Sequence, residues 1–186
     1  MGKVYLEIDD RLRAFIEAQR MFFVATAPSG DGGHVNLSPK GLDSLRVLDS
    51  RRVAYLDYVG SGAETIAHLR ENGRITLMLC AFDGPPRIVR LQGHGRVVEP
   101  RDDAFGALRA RFDPKTPPRS VICVELERIS DSCGYGVPLY GYEGERTQLV
   151  AWADRKGADA VLDYQRANNA RSIDGLPALR WVEEPD

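Results

Sequence analysis

Short apolar runs, separated by turn-forming residues, dominate the first 130 positions of the chain. Six of these runs are rich in β-branched and aromatic residues and are bounded by turn residues, a pattern that predicts β-strands. The predicted strands cover residues 21–27, 34–39, 52–58, 75–82, 87–99 and 121–129. The run Pro-Ser-Gly-Asp-Gly-Gly between the first two strands predicts a hairpin loop.

Helical spacing of apolar residues occurs at fewer places. It predicts helices over residues 9–19, 63–72 and 102–112, and two more over 146–156 and 158–169. Few of these helices lie between consecutive strands. The pattern therefore favours a mainly β protein, either a barrel or a sandwich with peripheral helices and a helical C-terminal part, over an alternating β-α-β sheet.

The composition is that of a folded chain without a strongly charged partner. Lys+Arg 25 and Asp+Glu 27 give a net charge of −2, so there is no excess of positive charge for general nucleic-acid binding. The longest uncharged stretch, residues 132–142, is shorter than the about 20 apolar residues that a membrane-spanning helix needs. The first residues show no apolar run behind a basic cluster, so we expect no secretory signal and a cytoplasmic location.

Cysteine and histidine are not spaced for metal binding. The residues concerned are Cys80, Cys123, Cys133, His34, His68 and His94. No C-x-x-C pair occurs, and the histidines have no mutual spacing that would assemble a metal site. We therefore expect reduced thiols and no metal. No Ser-His-Asp order is recognisable either, so no catalytic residue is assigned.

Three polar residues alternate with apolar ones at the end of the second predicted strand. Asn36, Ser38 and Lys40, called here the polar row, share one strand face at steps of about 6–7 Å. Such a row would present hydrogen-bond donors and one positive charge to a flat polar ligand. The alternative is an edge strand with one solvated face.

Residues 57–65, Asp-Tyr-Val-Gly-Ser-Gly-Ala-Glu-Thr, lead a strand through a glycine-serine bend (residues 60–62) into a helix. The free N–H groups and the positive dipole end of a helix N-terminus favour phosphate binding. The alternative is a capping box in which Ser61 and Glu64 satisfy those N–H groups internally. The Glu64 carboxylate would also repel a phosphate.

Arg90 lies within an apolar strand of the second half of the barrel region. Buried arginines are rare unless they are paired. Arg90 therefore either meets a carboxylate, a ligand or another chain, or lies on an exposed face.

The order of these motifs resembles the pyridoxamine 5′-phosphate oxidase-like flavoproteins with the FMN-binding split barrel. The resemblance extends over roughly residues 5–130. It rests on the polar row, on Gly-Ser-Gly-x-Glu-Thr at 60–65 and on Arg-x-x-Arg-Leu-x-Gly at 87–93. Residues 132–138 and 169–177 resemble marks of an uncharacterised subgroup.

This resemblance implies a mainly β (α+β) fold: a six-stranded antiparallel split β-barrel with peripheral helices and a helical C-terminal extension. Residues 1–131 would form the FMN-binding barrel. Residues 132–186 would form a Gly/Tyr-rich segment and a helical extension packed on the barrel. The resemblance also implies an obligate homodimer with FMN bound at the subunit interface.

Within such a site, the resemblance places the polar row beside the isoalloxazine ring, with Lys40 near its pyrimidine end. Ser61, Gly62 and Thr65 would take the phosphate, and Arg90 would reach the flavin of the other subunit. The full set of implied cofactor-binding residues is Asn36, Ser38, Lys40, Asp57, Ser61, Gly62, Glu64, Thr65 and Arg90.

The sequence departs from the vitamin B6 oxidases of this family at the phosphate turn, where Glu64 and Thr65 replace a basic pair. We therefore expect a different substrate, a small organic molecule that exchanges a hydride with the flavin. Lys40, Arg46 or Arg90 would balance the phosphate, or a deazaflavin (coenzyme F420) would replace FMN. The alternative function is a non-catalytic carrier of flavin, deazaflavin or haem.

Overall fold

The computed structural model describes residues 2–182, and one antiparallel sheet forms its centre. The strands are β1 (Val4–Tyr5), β2 (Phe22–Thr26), β3 (Asn36–Lys40), β4 (Leu45–Val47), β5 (Arg52–Tyr58), β6 (Arg74–Cys80), β7 (Ile88–Val98) and β8 (Pro118–Ser132). Their order is β3-β2-β6-β7-β8-β5-β4, and β1 pairs with β8. The sheet curls into a half-barrel, which confirms the mainly β split-barrel class.

The expected count of six strands is wrong. All six predicted strands are present, but β1 and β4 are additional and have only two and three residues. Strands this short cannot display a two-residue alternation, so their sequences carry no strand signal. They are defined by their partners, since Val4 pairs with Ser130 of β8 and Leu45 pairs with Tyr55 of β5.

Five α-helices of the described chain lie around the sheet. They are α1 (Asp10–Ala18), α2 (Glu64–Glu71), α3 (Phe105–Arg109), α4 (Gln148–Lys156) and α5 (Ala158–Asn168), followed by a 3₁₀ turn at Arg180–Val182. Helix α3 is shorter than predicted at both ends. Before it, the Asp102 side chain accepts the Glu99 N–H at 2.8 Å and closes a turn. After it, the Phe112 N–H donates to the Arg109 carbonyl at 3.1 Å, a turn that is tighter than an α-helix. No helix within residues 2–182 has both the length and the apolar character needed to cross a bilayer.

The main core lies inside the curl of the sheet. Val24, Leu77 and Leu91 occupy neighbouring register positions on β2, β6 and β7 and are fully buried. Burial of a side chain of this size stabilises the fold by about 1.5–3 kcal/mol. On the opposite face, Leu56 and Val121 pack beside α3. Strands β5 and β8 are thus covered on both faces, which accounts for their apolar runs.

The C-terminal residues return to the barrel, where Leu179 and Trp181 enter the main core. The carboxylate of Glu99, a residue 2% exposed, holds them there. It accepts the backbone N–H groups of Arg180 at 3.1 Å and of Trp181 at 3.3 Å, and it pairs with the guanidinium of Arg70. One buried acceptor therefore ties the end of the chain to α2 and to the end of β7.

Replacing Glu99 with alanine should lower the free energy of unfolding by about 1–3 kcal/mol, because one buried and two partly buried donors lose their acceptor. Urea denaturation measures the loss, and limited proteolysis should cleave the C-terminal residues faster. Glu125→Ala, at a side chain 71% exposed, is the matched control and should change neither. Equal stability of the Glu99 variant and the control would contradict this account of the C-terminal attachment.

Candidate functional site

A crevice of ≈ 770 Å³ opens between β3 and the segment that joins β5 to α2. Seven of the nine residues predicted for the site line it: Asn36, Ser38, Lys40, Ser61, Gly62, Glu64 and Thr65. Asp57 is fully buried on β5 and contacts Lys40, whereas Arg90 lies elsewhere. The polar row and the glycine-serine bend therefore share one hollow, whose volume is that of an ordinary small-molecule site.

The polar row points toward the inside of the curled sheet, because its residues pair with the buried residues of β2. Ser38 pairs with Val24, and Lys40 pairs with Phe22. Strand β3 is an edge strand, yet its polar row is half-buried while Leu37, on the other face, is 65% exposed. This is the reverse of an edge strand with a solvated polar face, the alternative that the sequence left open.

Side-chain hydrogen bonds join the polar row to helix α2. Ser38 Oγ donates to Asn36 Oδ1 at 3.0 Å, and Asn36 Nδ2 donates to Thr26 Oγ1 at 3.1 Å and to Thr65 Oγ1 at 3.0 Å. Behind Thr26 lies the buried His68, whose Nδ1 is 3.0 Å from Thr26 Oγ1. Burial lowers the pKa of His68, so the imidazole is neutral at pH 7.

The Asp57 carboxylate joins two cations at the base of the crevice. Lys40 Nζ lies 3.3 Å from Oδ1, Arg119 Nε donates to Oδ2 at 2.7 Å, and Ser120 Oγ lies 3.3 Å from the same oxygen. Burial by itself would raise the pKa of Asp57, but the charges of Arg119 and Lys40 and their hydrogen bonds outweigh it and hold the pKa below its ordinary value. Two cations facing one carboxylate leave one surplus positive charge at the base of the crevice, while the Glu64 carboxylate lies at its wall.

Arg119 lines the crevice, although the sequence patterns did not predict it as a site residue. It is 5% exposed, and its Nη1 donates to the carbonyl oxygen of Gly62 at 2.8 Å. It therefore holds both Asp57 and the glycine-serine bend. The available signal is an arginine at the head of an apolar strand, which is weak in a chain with many arginines.

Helix α2 begins at Glu64 with Ala63 as its N-cap, and no side chain caps it. The capping box between Ser61 and Glu64, one of the alternatives, does not form. The Glu64 carboxylate instead lies against Gly62, where an added Cβ would overlap it, and its Oε1 accepts the N–H of Ile173 at 3.3 Å. Within residues 2–182, the first N–H groups of α2 therefore have no side-chain acceptor at the crevice wall.

Arg90 and Arg46 lie outside the crevice of this chain. Alternation along β7 points Arg90 to the outer face of the sheet, where it pairs with Met78 and its Nη1 donates to Ser132 Oγ at 3.0 Å. The guanidinium of Arg46 binds both carboxylate oxygens of Asp43, at 2.8 and 2.7 Å. From the sequence, Lys40, Arg46 and Arg90 are the candidate cations for balancing a phosphate. Of these three, only Lys40 lines the crevice within a single chain.

The loop after α5 closes one end of the crevice. Asn169 is fully buried and donates its Nδ2 to the Gly60 carbonyl at 3.0 Å, while its Oδ1 has no hydrogen-bond partner among residues 2–182. Ile173 lines the crevice. Asp174 accepts the backbone N–H of His34 at 2.8 Å and lies 2.6 Å from the His34 ring. The loop therefore supports both the bend and the start of β3.

The crevice brings together three features. Local sequence patterns do not show that these features lie close to one another. The crevice has a fixed row of hydrogen-bonding side chains, a surplus cation at its base, and an uncapped helix N-terminus beside two glycines. This arrangement suits a ligand that joins a flat hydrogen-bonding edge to an anionic tail.

The chain matches known proteins over most of its length. Residues 8–133 match the family model of pyridoxamine 5′-phosphate oxidase. The chain is 40% identical, over 192 aligned positions, to the pyridoxamine 5′-phosphate oxidase family protein ustO of Aspergillus flavus, an alignment that covers 94% of this chain and 77% of that protein.

Two solved structures share the barrel. HupZ of Group A Streptococcus aligns with a TM-score of 0.51 at 22% identity, covering 66% of this chain and 91% of that chain. A Lactobacillus delbrueckii protein, provisionally assigned as a pyridoxamine 5′-phosphate oxidase, aligns with a TM-score of 0.52 at 19% identity, covering 68% of this chain and 98% of that chain. At such identities the similarity concerns the fold alone.

Proposed function

The chain belongs to the pyridoxamine 5′-phosphate oxidase family, and from that premise we propose that it binds FMN in the crevice and acts as a flavin-dependent oxidoreductase on a small organic substrate. The observation that carries this proposal is the convergence of the polar row and the glycine-serine bend on one hollow. The groups present suit the two ends of FMN. Asn36 and Ser38 use their own hydrogens within the crevice, so their oxygens can accept from the ring edge and Lys40 can donate to it. The helix N–H groups match the phosphate.

In this proposal each residue has a binding task. Asn36 and Ser38 hydrogen-bond the ring edge, and Lys40, held by Asp57, keeps a positive charge beside it. Ser61, Gly62 and Thr65 bind the phosphate at the start of α2, while Arg119 fixes the bend from below. Bound FMN would supply the hydride-transfer chemistry, and the protein would orient the ring and its electrostatic surroundings.

A homodimer is part of the proposal. Leu37 on the outer face of β3 (65% exposed) and Val35 directly before this strand (75% exposed) are apolar side chains at the edge of the sheet. In such a dimer, Arg90 of the partner subunit would reach the flavin from the outer face of its own sheet. Light scattering at micromolar concentration tests this point, and a purely monomeric protein would contradict a shared site.

Titration of the flavin-free protein with FMN tests the cofactor. We expect quenching of FMN fluorescence with one FMN per chain, and a flavin absorbance band in the loaded protein. Parallel titrations with deazaflavin and haem identify the ligand if either binds more tightly. Protein that leaves FMN fluorescence unchanged would refute the FMN proposal.

Stopped-flow reduction separates an oxidoreductase from a carrier. The loaded protein is mixed with NADH, NADPH or reduced deazaflavin, and flavin absorbance is followed. Fast bleaching by one donor is the expected result. A carrier would bind the flavin with no fast reduction by any donor, so this measurement decides between the two functions.

Glu64→Gln should tighten FMN binding about fivefold while leaving riboflavin affinity unchanged. The half-buried carboxylate at the start of α2 repels a phosphate, and with solvent screening this repulsion is worth roughly 1 kcal/mol. The measurement is the ratio of FMN to riboflavin dissociation constants. Glu71→Gln, an exposed position in the last turn of the same helix, is the control. An unchanged ratio for Glu64→Gln would show that the phosphate does not lie at this helix end.

A further inference from the structure

A second and larger hollow, of ≈ 1140 Å³, lies beside the crevice. We call it the Tyr140 hollow. Its walls are the end of α1, parts of β2 and β3, Phe82, and the segment 140–149 of the C-terminal part. Aromatic side chains are prominent among its lining residues: Phe23, Phe82, Tyr140 and Tyr142. A wall of this kind, with a few charged groups, is typical of sites for organic molecules.

The Tyr140 hollow is continuous with the crevice at the end of β3. Lys40, Gly41 and Leu42 line both spaces, and so does Leu149 from helix α4. Only this end of the strand separates them. A molecule bound in the Tyr140 hollow would therefore lie next to Lys40, the cation of the polar row.

The aromatic side chains are held in place although they are exposed. The Tyr140 N–H donates to the Phe82 carbonyl at 2.8 Å, and the two rings lie 5.7 Å apart. Tyr142 Oη donates to Glu145 Oε1 at 3.0 Å. Yet Tyr140 and Tyr142 remain 65% and 55% exposed. Ordered aromatic rings that stay open to solvent at a concave surface indicate a binding surface rather than a core.

Three cations, Arg20, Lys40 and Arg146, and two carboxylates, Asp83 and Glu145, line the hollow. The excess of one positive charge favours an anion. Arg20 and Arg146 line it, and neither forms an ion pair with a carboxylate among residues 2–182; the Arg20 guanidinium lies over the Tyr142 ring at 5.3 Å. Glu145 is already an acceptor for Tyr142 and for the Leu42 N–H at 3.3 Å. The arginines thus remain available to a carboxylate that arrives with the ligand.

We propose that the Tyr140 hollow binds an aromatic carboxylate, with the ring against Phe82 and Tyr140 and the carboxylate at Arg20 and Arg146. Its role as the substrate of the adjacent flavin rests on the proposed function. Binding itself does not, because the hollow is complete without a ligand in the crevice.

The test is an isothermal titration calorimetry experiment in which 2-naphthoate is titrated into the flavin-free protein. We expect saturable binding that Tyr140→Ala weakens roughly tenfold through the lost ring contact. Arg146→Gln should also weaken the binding of 2-naphthoate. The cation 2-naphthylmethylammonium should not bind to the unaltered protein. Tyr135→Ala and Arg155→Gln are the matched controls, since both residues are exposed and neither lines the hollow.

Absent or non-saturable 2-naphthoate binding, or equal weakening by the controls, would overturn the proposal. A second outcome would also overturn the proposal. If the unaltered protein does not bind 2-naphthoate and Tyr140→Ala no longer forms dimers in light scattering, the Tyr140 hollow is the contact surface for a second copy of the chain. FMN titration is run separately. If 2-naphthoate binds as described and FMN does not, the proposed carboxylate site is supported and the proposed flavin function is refuted.

Discussion

Asp57→Asn should lower the free energy of unfolding by about 3–5 kcal/mol, because it leaves the buried guanidinium of Arg119 without its countercharge. Asp57 is fully buried and Arg119 is 5% exposed, so water cannot replace the lost partner. Urea denaturation followed by far-UV circular dichroism measures the change. Asparagine keeps the size of the side chain, so the loss reports charge rather than a cavity.

The pH dependence of this loss has a definite sign. The pKa of Asp57 is lowered in the folded chain, below the roughly 3.9 of an unfolded aspartate. Its contribution is therefore complete above about pH 4 and disappears as the pH falls through the folded-state pKa. The gap in stability between the unaltered protein and Asp57→Asn should shrink in that acid range.

Two further variants make this prediction specific. Asp163→Asn breaks an exposed pair with Arg166, whose partner carboxylate is 73% exposed, and should cost less than about 1 kcal/mol. Asp57→Leu combined with Arg119→Met replaces the buried pair with apolar side chains and should recover much of the loss. A cost for Asp57→Asn as small as that of the control would mean that the pair does not hold the site together.

Gly60→Val should weaken the proposed FMN binding about a hundredfold, which corresponds to the loss of charge-assisted hydrogen bonds worth about 1.5–3 kcal/mol each. Gly60 lines the crevice, and a Cβ there meets nothing within 4 Å, so the valine projects into space that the proposed phosphate needs. The backbone at Gly60 is not in the left-handed region, so the free energy of unfolding should change by less than about 1 kcal/mol.

Gly30→Val is the control for this second prediction. A Cβ at Gly30 also meets nothing within 4 Å, but the residue lies in the hairpin loop away from the crevice. Fluorescence titration gives the FMN affinity, and urea denaturation confirms that both variants are folded. Full FMN affinity in a folded Gly60→Val protein would place the phosphate somewhere other than the bend.

The candidate site could be predicted in part because some of its features are local. Strict alternation puts Asn36, Ser38 and Lys40 on one face whatever the rest of the chain does. Glycines beside a helix start likewise mark a bend that backbone or ligand can approach closely. Both signals lie within a few residues, which is the range over which periodicity and turn chemistry operate.

Other features depend on distant residues, and sequence patterns did not resolve them. Ser61 and Glu64 have capping-box spacing, but the helix starts at Glu64 and the N–H of Ile173, 109 residues away, binds its carboxylate. The resemblance assigns Arg90 to the flavin of the other subunit, and alternation along β7 turns this side chain to the outer face of its own sheet. Its reach across a dimer remains a prediction.

The sequence by itself determined six of the eight strands within residues 2–182, the presence of the five helices there and the polar character of one face of β3, because each follows from side-chain periodicity along a single segment. Only the tertiary structure decided that Arg119 neutralises Asp57 from 62 residues away and that residues 169–174 support the bend. The physical reason is that burying a charge requires a countercharge close in space, whereas periodicity reports only which face a residue occupies.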